Sequence, residues 1–156
     1  MPLRIGTEMP SLDGATEWLN GGNVATESLV GHPTLIHFWS VSCYLCKENL
    51  PTLKRWEETY GPQGLQVVAV HMPRNESDTD VEKVKAAIAE FGIQDTCAVD
   101  NDHEIGDRFE TGGLWPYYFL FDADGKMKTR SAGNAGLSTI ETGLKRLLEA
   151  PEAVGV

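Results

Sequence analysis

Apolar positions divide the chain into short, continuously buried segments and longer amphipathic stretches. Thr34-Leu35-Ile36-His37-Phe38-Trp39 is nearly unbroken apolar sequence, rich in β-branched and aromatic side chains. That is the pattern of a strand covered on both faces. Leu65–Val70 repeats it, Thr96–Val99 is a shorter copy and Pro116–Phe121 a fourth. Between these strands the period changes. From Cys43 to Tyr60, apolar side chains fall at Cys46, Leu50, Leu53, Trp56 and Tyr60, a stripe at helical spacing. Pro51 lies inside this helix and is expected to kink it; Gly61-Pro62-Gln63-Gly64 ends it. Further helices are predicted over 80–91, 102–109 and 138–148, the last with Ile140, Leu144, Leu147 and Leu148 on one face. Asp122-Ala123-Asp124-Gly125 reads as a tight turn, with Lys126–Ser131 as the returning strand. Residues 1–30 are polar and punctuated by Pro10, Gly14, Gly21 and Gly22, which predicts a loop or hairpin followed by a short turn at Thr26–Leu29.

The order β-α-β-α-β-α-β-β-α implies one α/β domain over 1–156: a mostly parallel sheet with helices on both faces and a last strand turned antiparallel by its hairpin. In such folds the site lies at the carboxyl ends of the parallel strands. Cys43 falls there, just past the end of the first core strand.

Composition narrows the partners. Thirteen Lys and Arg against 23 Asp and Glu give a net charge of −10, which argues against nucleic acid and against docking on anionic lipid. No apolar run approaches the roughly 18 residues of a membrane span. Met1-Pro2-Leu3-Arg4-Ile5-Gly6 lacks the basic and apolar regions of a signal peptide, so a cytoplasmic location is expected. Three cysteines cannot make a disulfide framework; a close pair plus a single Cys97 suits a reducing compartment.

The pair carries the chemistry. Cys43-Tyr44-Leu45-Cys46 opens a helix. Exposed N–H groups and the helix dipole there favour a thiolate on Cys43, the nucleophilic form of cysteine. Cys46, one turn on, reaches back to it. Cys43 attacks a substrate disulfide and Cys46 then resolves the mixed disulfide, or the reverse sequence oxidises a dithiol. Buried apolar cysteines and half of a zinc site are the rivals. Zinc wants four ligands, and His37, His71 and Cys97 are irregularly spaced for the remaining two.

The run Phe38-Trp39-Ser40-Val41-Ser42-Cys43-Tyr44-Leu45-Cys46-Lys47-Glu48-Asn49-Leu50-Pro51 resembles the active-site signature of the thioredoxin superfamily, and more narrowly its TlpA/ResA-like branch, whose helix also carries a proline at this position. Gly113-Leu114-Trp115-Pro116-Tyr117-Tyr118-Phe119-Leu120-Phe121-Asp122 is similar to the segment holding the family's cis-proline. The resemblance implies a thioredoxin-like fold with a central mixed sheet, an N-terminal extension over 1–30 and a central insert over 75–99. It implies a thiol–disulfide oxidoreductase with Cys43 and Cys46 catalytic. Trp39, Tyr44, Trp115 and Pro116 are then expected to bind substrate, with a cis Trp115–Pro116 bond and the Trp115 backbone pairing with an extended substrate chain. The family's proline also blocks metal capture by the cysteines. Protein disulfides or dithiols and an upstream thiol reductant are the implied partners. The Cys pair itself carries the electrons, so no cofactor or metal is expected, and a compact domain with one groove is expected to be a monomer.

Departures from the family are specific. His37 stands where thioredoxins bury an Asp, and Asn49 where many TlpA/ResA-like helices carry a Glu. Tyr44-Leu45 replaces Gly-Pro. His37 reads as a hydrogen-bonded core histidine, with tuning of Cys46 as the alternative. A copper-binding module of this fold, using Cys43, Cys46 and His71, is one alternative function; His71 and Met72 are similar to residues of copper-binding relatives, which use a wider cysteine spacing. A peroxiredoxin-like peroxidase is the other alternative; it wants a Thr before the reactive Cys and an Arg facing it, where Ser40 and Ser42 stand. Cys97 reads as a buried strand residue, and Asp100, Asp102, Glu104 and Asp107 as charge at a helix start.

Overall fold

The computed structural model describes residues 3–133 and 136–149, so the two ends of the predicted 1–156 domain lie outside the described residues. Six strands form a single sheet in the order β1-β4-β3-β2-β5-β6. They are β1 (Glu17–Leu19), β2 (Thr34–Trp39), β3 (Gln66–His71), β4 (Thr96–Val99), β5 (Tyr117–Phe121) and β6 (Met127–Ala132). The helices are α1 (Thr26–Leu29), α2 (Tyr44–Tyr60), α3 (Val81–Phe91), α4 (Glu104–Arg108) and α5 (Gly136–Leu148).

β2 lies in the middle of the sheet, and all six of its residues are buried. This is why its sequence shows no alternation. Its side chains nevertheless divide by parity. Leu35 and Trp39 face a layer made by α2, α3 and α5, with Leu50, Leu53, Trp56, Ile88, Ile140 and Leu144. Ile36 and Phe38 face the opposite layer, with Met9, Leu12, Ile105, Phe109 and Met127. β2, β3 and β4 are parallel and step across the sheet in one direction. Two right-handed crossovers in the same direction place α2 and α3 on the same face. Gly64, at φ 105°, supplies the left-handed turn that lets the chain leave α2 for β3. The chain runs through Pro51 without interrupting α2.

The sheet departs from the mostly parallel arrangement in the alternation of elements. β5 is antiparallel to β2, β6 to β5 and β1 to β4. The reason lies in the connection over 100–116. Its one helix, α4, has only five residues, too short to carry the chain back along the sheet, so β5 enters from the end at which β4 leaves. The N-terminal region forms no hairpin among its described residues. Its strand β1 pairs instead with β4, and the turn expected at Thr26–Leu29 is one turn of α-helix.

Candidate active site

The carboxyl end of β2 runs into the turn Ser40–Ser42, closed by the Cys43 N–H donating to the Ser40 carbonyl at 3.2 Å. Cys43 is the N-cap of α2, with extended backbone, and its Sγ accepts from the Cys46 N–H at 3.1 Å. A cap is ordinarily an oxygen of Ser, Thr, Asp or Asn; here it is sulfur. Cys43 and Cys46 are joined as a disulfide, their Cα atoms 5.3 Å apart. Both are almost wholly buried, Cys43 at 5 % and Cys46 at 4 % exposure. When the bond is reduced, charge on Cys43 falls where the unpaired N–H groups and dipole of a 17-residue helix favour it.

The expected substrate-binding residues separate into two kinds. Tyr44 follows Cys43 directly and is 73 % exposed. Trp115 is half-buried, its Nε1 donating to the Met72 carbonyl at 2.7 Å. Its peptide bond to the buried Pro116 is cis. Tyr117 pairs with Phe38, so the register carries Pro116 to the level of Trp39, at the end of the sheet from which the Cys turn departs. Trp39 itself is a correction. At 2 % exposure it belongs to the core rather than to a groove wall, because its position in β2 points it under α2, edge-on to the His71 ring with centroids 4.8 Å apart.

Beneath the pair the floor is buried and carries several polar side chains. His71 ends β3, fully buried, and its Nε2 accepts from the Val41 N–H at 3.1 Å, holding the Cys turn down. Burial pushes its pKa down to about 4 against the opposing pull of Asp78, so His71 is neutral and acts as an acceptor. Asn49, one turn after Cys46, is buried and donates through Nδ2 to the Tyr118 hydroxyl at 2.8 Å. His37 is a buried, hydrogen-bonded histidine, its Nε2 3.2 Å from Asp95 Oδ2. Glu57, hydrogen-bonded to Asp95, is pushed up to about 9, first by burial and then by that neighbour. Asp95 moves the other way: burial would raise it, but hydrogen bonds from His37 and Glu57 hold it low. Cys97 is free and fully buried, and burial pushes its thiol up to about 12. Asp100 accepts from the N–H groups of Ile105 and Gly106 at the start of α4. Among the described residues no three His, Cys, Asp or Glu side chains are grouped as metal ligands.

One constellation escapes sequence reasoning. Asp78, buried in a short 3-10 turn, accepts from the Ser42 hydroxyl at 2.6 Å and from the Arg74 N–H at 3.0 Å through the same oxygen. The Arg74 guanidinium donates to the Ser42 carbonyl at 2.7 Å. These contacts tie the loop after β3 to the residue preceding Cys43. Their only sequence signal was a polar run directly after a parallel strand, at the end of the sheet where sites form.

A sheet of this topology, with a disulfide-bonded Cys pair at the amino end of its first long core helix, defines the class of thioredoxin-fold redox proteins. The chain belongs to the Redoxin family, whose model matches residues 4–144. It is 43 % identical over 151 residues to the thiol-disulfide oxidoreductase YkuV of Bacillus subtilis, covering 96 % of this chain and all of that one. It is 32 % identical over 142 residues to the protein DipZ of Mycobacterium tuberculosis, covering 89 % of this chain but only 20 % of that much longer protein. Among solved structures, a thioredoxin-like protein determined in solution in its oxidised form superposes with a TM-score of 0.83 at 43 % identity, over 94 % of this chain and 97 % of that one. A thiol-disulfide isomerase from Corynebacterium glutamicum shares the fold at a TM-score of 0.74 and 24 % identity, over 90 % of this chain and 96 % of that one.

Proposed function

We propose that this protein is a thiol–disulfide oxidoreductase that exchanges a dithiol for a disulfide on protein substrates, with Cys43 as nucleophile and Cys46 as resolving cysteine. The observation that carries this is the N-cap position of Cys43, whose sulfur already accepts a hydrogen bond from the helix backbone. The 43 % identity to a named thiol-disulfide oxidoreductase over its full length supports it.

In the reducing direction, the Cys43 thiolate attacks one sulfur of a substrate disulfide. The substrate S–S bond breaks, the leaving sulfur takes a proton, and a mixed disulfide forms. Cys46, deprotonated, then attacks the Cys43 sulfur. The second substrate sulfur leaves as thiol, and the enzyme pair is left oxidised, two electrons having passed to substrate. A thiol reductant restores it by the same exchange, so the Cys pair is the electron carrier and no separate cofactor is required. Tyr44 offers an exposed ring beside Cys43. The Trp115 backbone, ahead of cis-Pro116, is available to an extended substrate segment. A monomer in a bacterial cytoplasm completes the reading, supported by cysteine usage that suits a reducing compartment.

Insulin reduction by dithiothreitol tests it. Wild type is expected to accelerate B-chain precipitation, and Cys43→Ser to return the rate to that of dithiothreitol alone. Equal behaviour of wild type, Cys43→Ser and Cys46→Ser would show that the pair is not a dithiol catalyst.

A further inference from the structure

Arg74 takes no part in the exchange steps, yet it is held against the residue preceding the nucleophile. Its backbone N–H is anchored on Asp78 and its Nη1 on the Ser42 carbonyl, while Ser42 Oγ returns to the same Asp78 oxygen. The ring of contacts closes on itself. Its acidic member is buried at 3 % exposure and fixed in turn by its own N–H donating to Asn75 Oδ1 at 3.1 Å. A guanidinium has five N–H donors in a rigid plane; the Ser42 contact occupies one of them. Arg74 is exposed, and among the described residues no carboxylate pairs with it.

The other charges on the first turns of α2 are already engaged. The Lys47 ammonium lies 5.0 Å from the centroid of the Phe91 ring, and the Glu48 carboxylate acts on the Tyr44 hydroxyl and raises its pKa. A positioned, uncommitted cation therefore stands next to Cys43 on a chain whose net charge is −10.

Resting on the oxidoreductase reading above, we infer that Arg74 is a specificity-determining residue that selects protein disulfides with an Asp or Glu next to the attacked cysteine. In the mixed disulfide the substrate backbone is tethered to Cys43 by its own sulfur, which brings the neighbouring side chain to the rim where the free edge of the guanidinium waits. A carboxylate there makes the planar, charge-assisted pair for which arginine is suited. Recognition through an exposed pair acts mainly on the rate of productive encounter and is weakened by salt.

The test uses the reduced full-length protein and two peptide disulfides identical except for Asp or Asn beside the cysteine, with the mixed-disulfide rate followed by acid quench and mass spectrometry. Wild type is expected to react about fivefold faster with the Asp peptide at low ionic strength, the ratio collapsing towards one in about 1 M salt. Arg74→Gln is expected to abolish the ratio while leaving the Asn-peptide rate within about twofold, and Arg74→Lys to retain part of it. Equal rates for the two peptides in wild type would overturn the inference. So would a ratio that persists in Arg74→Gln, or an equal loss on both peptides, which would mark the residue as a brace for the Cys turn. Failure of reduced wild type to attack either peptide would instead remove the oxidoreductase reading itself, and the inference with it.

Discussion

A single sulfur, Cys43 Sγ, occupies the position that an oxygen takes in most helix caps, so the cap hydrogen bond is accepted by an atom that can also take part in disulfide exchange. The contrast with Cys97 is instructive. Both are buried by area, but Cys97 sits within β4, between β1 and β3, and burial raises its pKa to about 12 against the opposing pull of neighbouring hydrogen bonds. The oxidised native protein is therefore expected to give no reaction with a thiol-specific chromogenic disulfide reagent, and one thiol per chain once denaturant is added. Rapid labelling of the native oxidised protein would show that Cys97 is accessible. The cysteine chemistry was legible in sequence because it is local: four consecutive residues and a helix start contain it. The supports were not. His71 reaches Val41 across two strands, and Asp78 reaches Ser42 over a sequence separation of 36; no periodicity reports such pairings. Trp39 was misassigned for the same reason, since an aromatic next to a catalytic motif has one composition whether it faces solvent or core.

Elements with a strong period were read to within a residue or two. Thr34–Trp39 and Thr96–Val99 form strands over the expected ranges, and α3 begins one residue after its cap, Asp80. Weak or short elements were missed, because β1 has three residues and exists only through its pairing with β4. The direction of β5 depends on a connection too short to return along the sheet, which alternation alone does not reveal. The packing of α2 against the start of β4 also sets a pH dependence. Glu57 is protonated in the folded protein up to about pH 9, against an ordinary value of 4.5. Its folded-state pKa is raised, so its contribution to stability is complete below about pH 4.5 and is lost as pH rises through about 9. Glu57→Gln keeps a donor for Asp95 without a titrating proton. It is expected to match wild type near pH 5 and to be more stable at pH 8 by about 1 kcal/mol, after allowance for solvent screening at a partly exposed side chain. Urea midpoints at the two pH values measure this; identical pH slopes for variant and wild type would refute it.

Across the whole molecule, two hydrophobic layers on either side of β2 hold the sheet, and its carboxyl end collects everything of chemical interest: the Cys turn, His71, the Arg74–Asp78 clamp and the Trp115–Pro116 segment. The chain carries a net charge of −10, and Arg74 sets an exposed cation against the residue that precedes Cys43. Mixed-disulfide trapping tests the division of labour within the pair most directly. Reduced Cys46→Ser and Cys43→Ser proteins are each incubated with a peptide disulfide and weighed by intact mass spectrometry, with the adduct mapped by digestion. A stable adduct on Cys43 of Cys46→Ser, with none on Cys43→Ser, is the expected result. Equal adducts on the two variants, or an adduct confined to Cys46, would contradict Cys43 as the nucleophile.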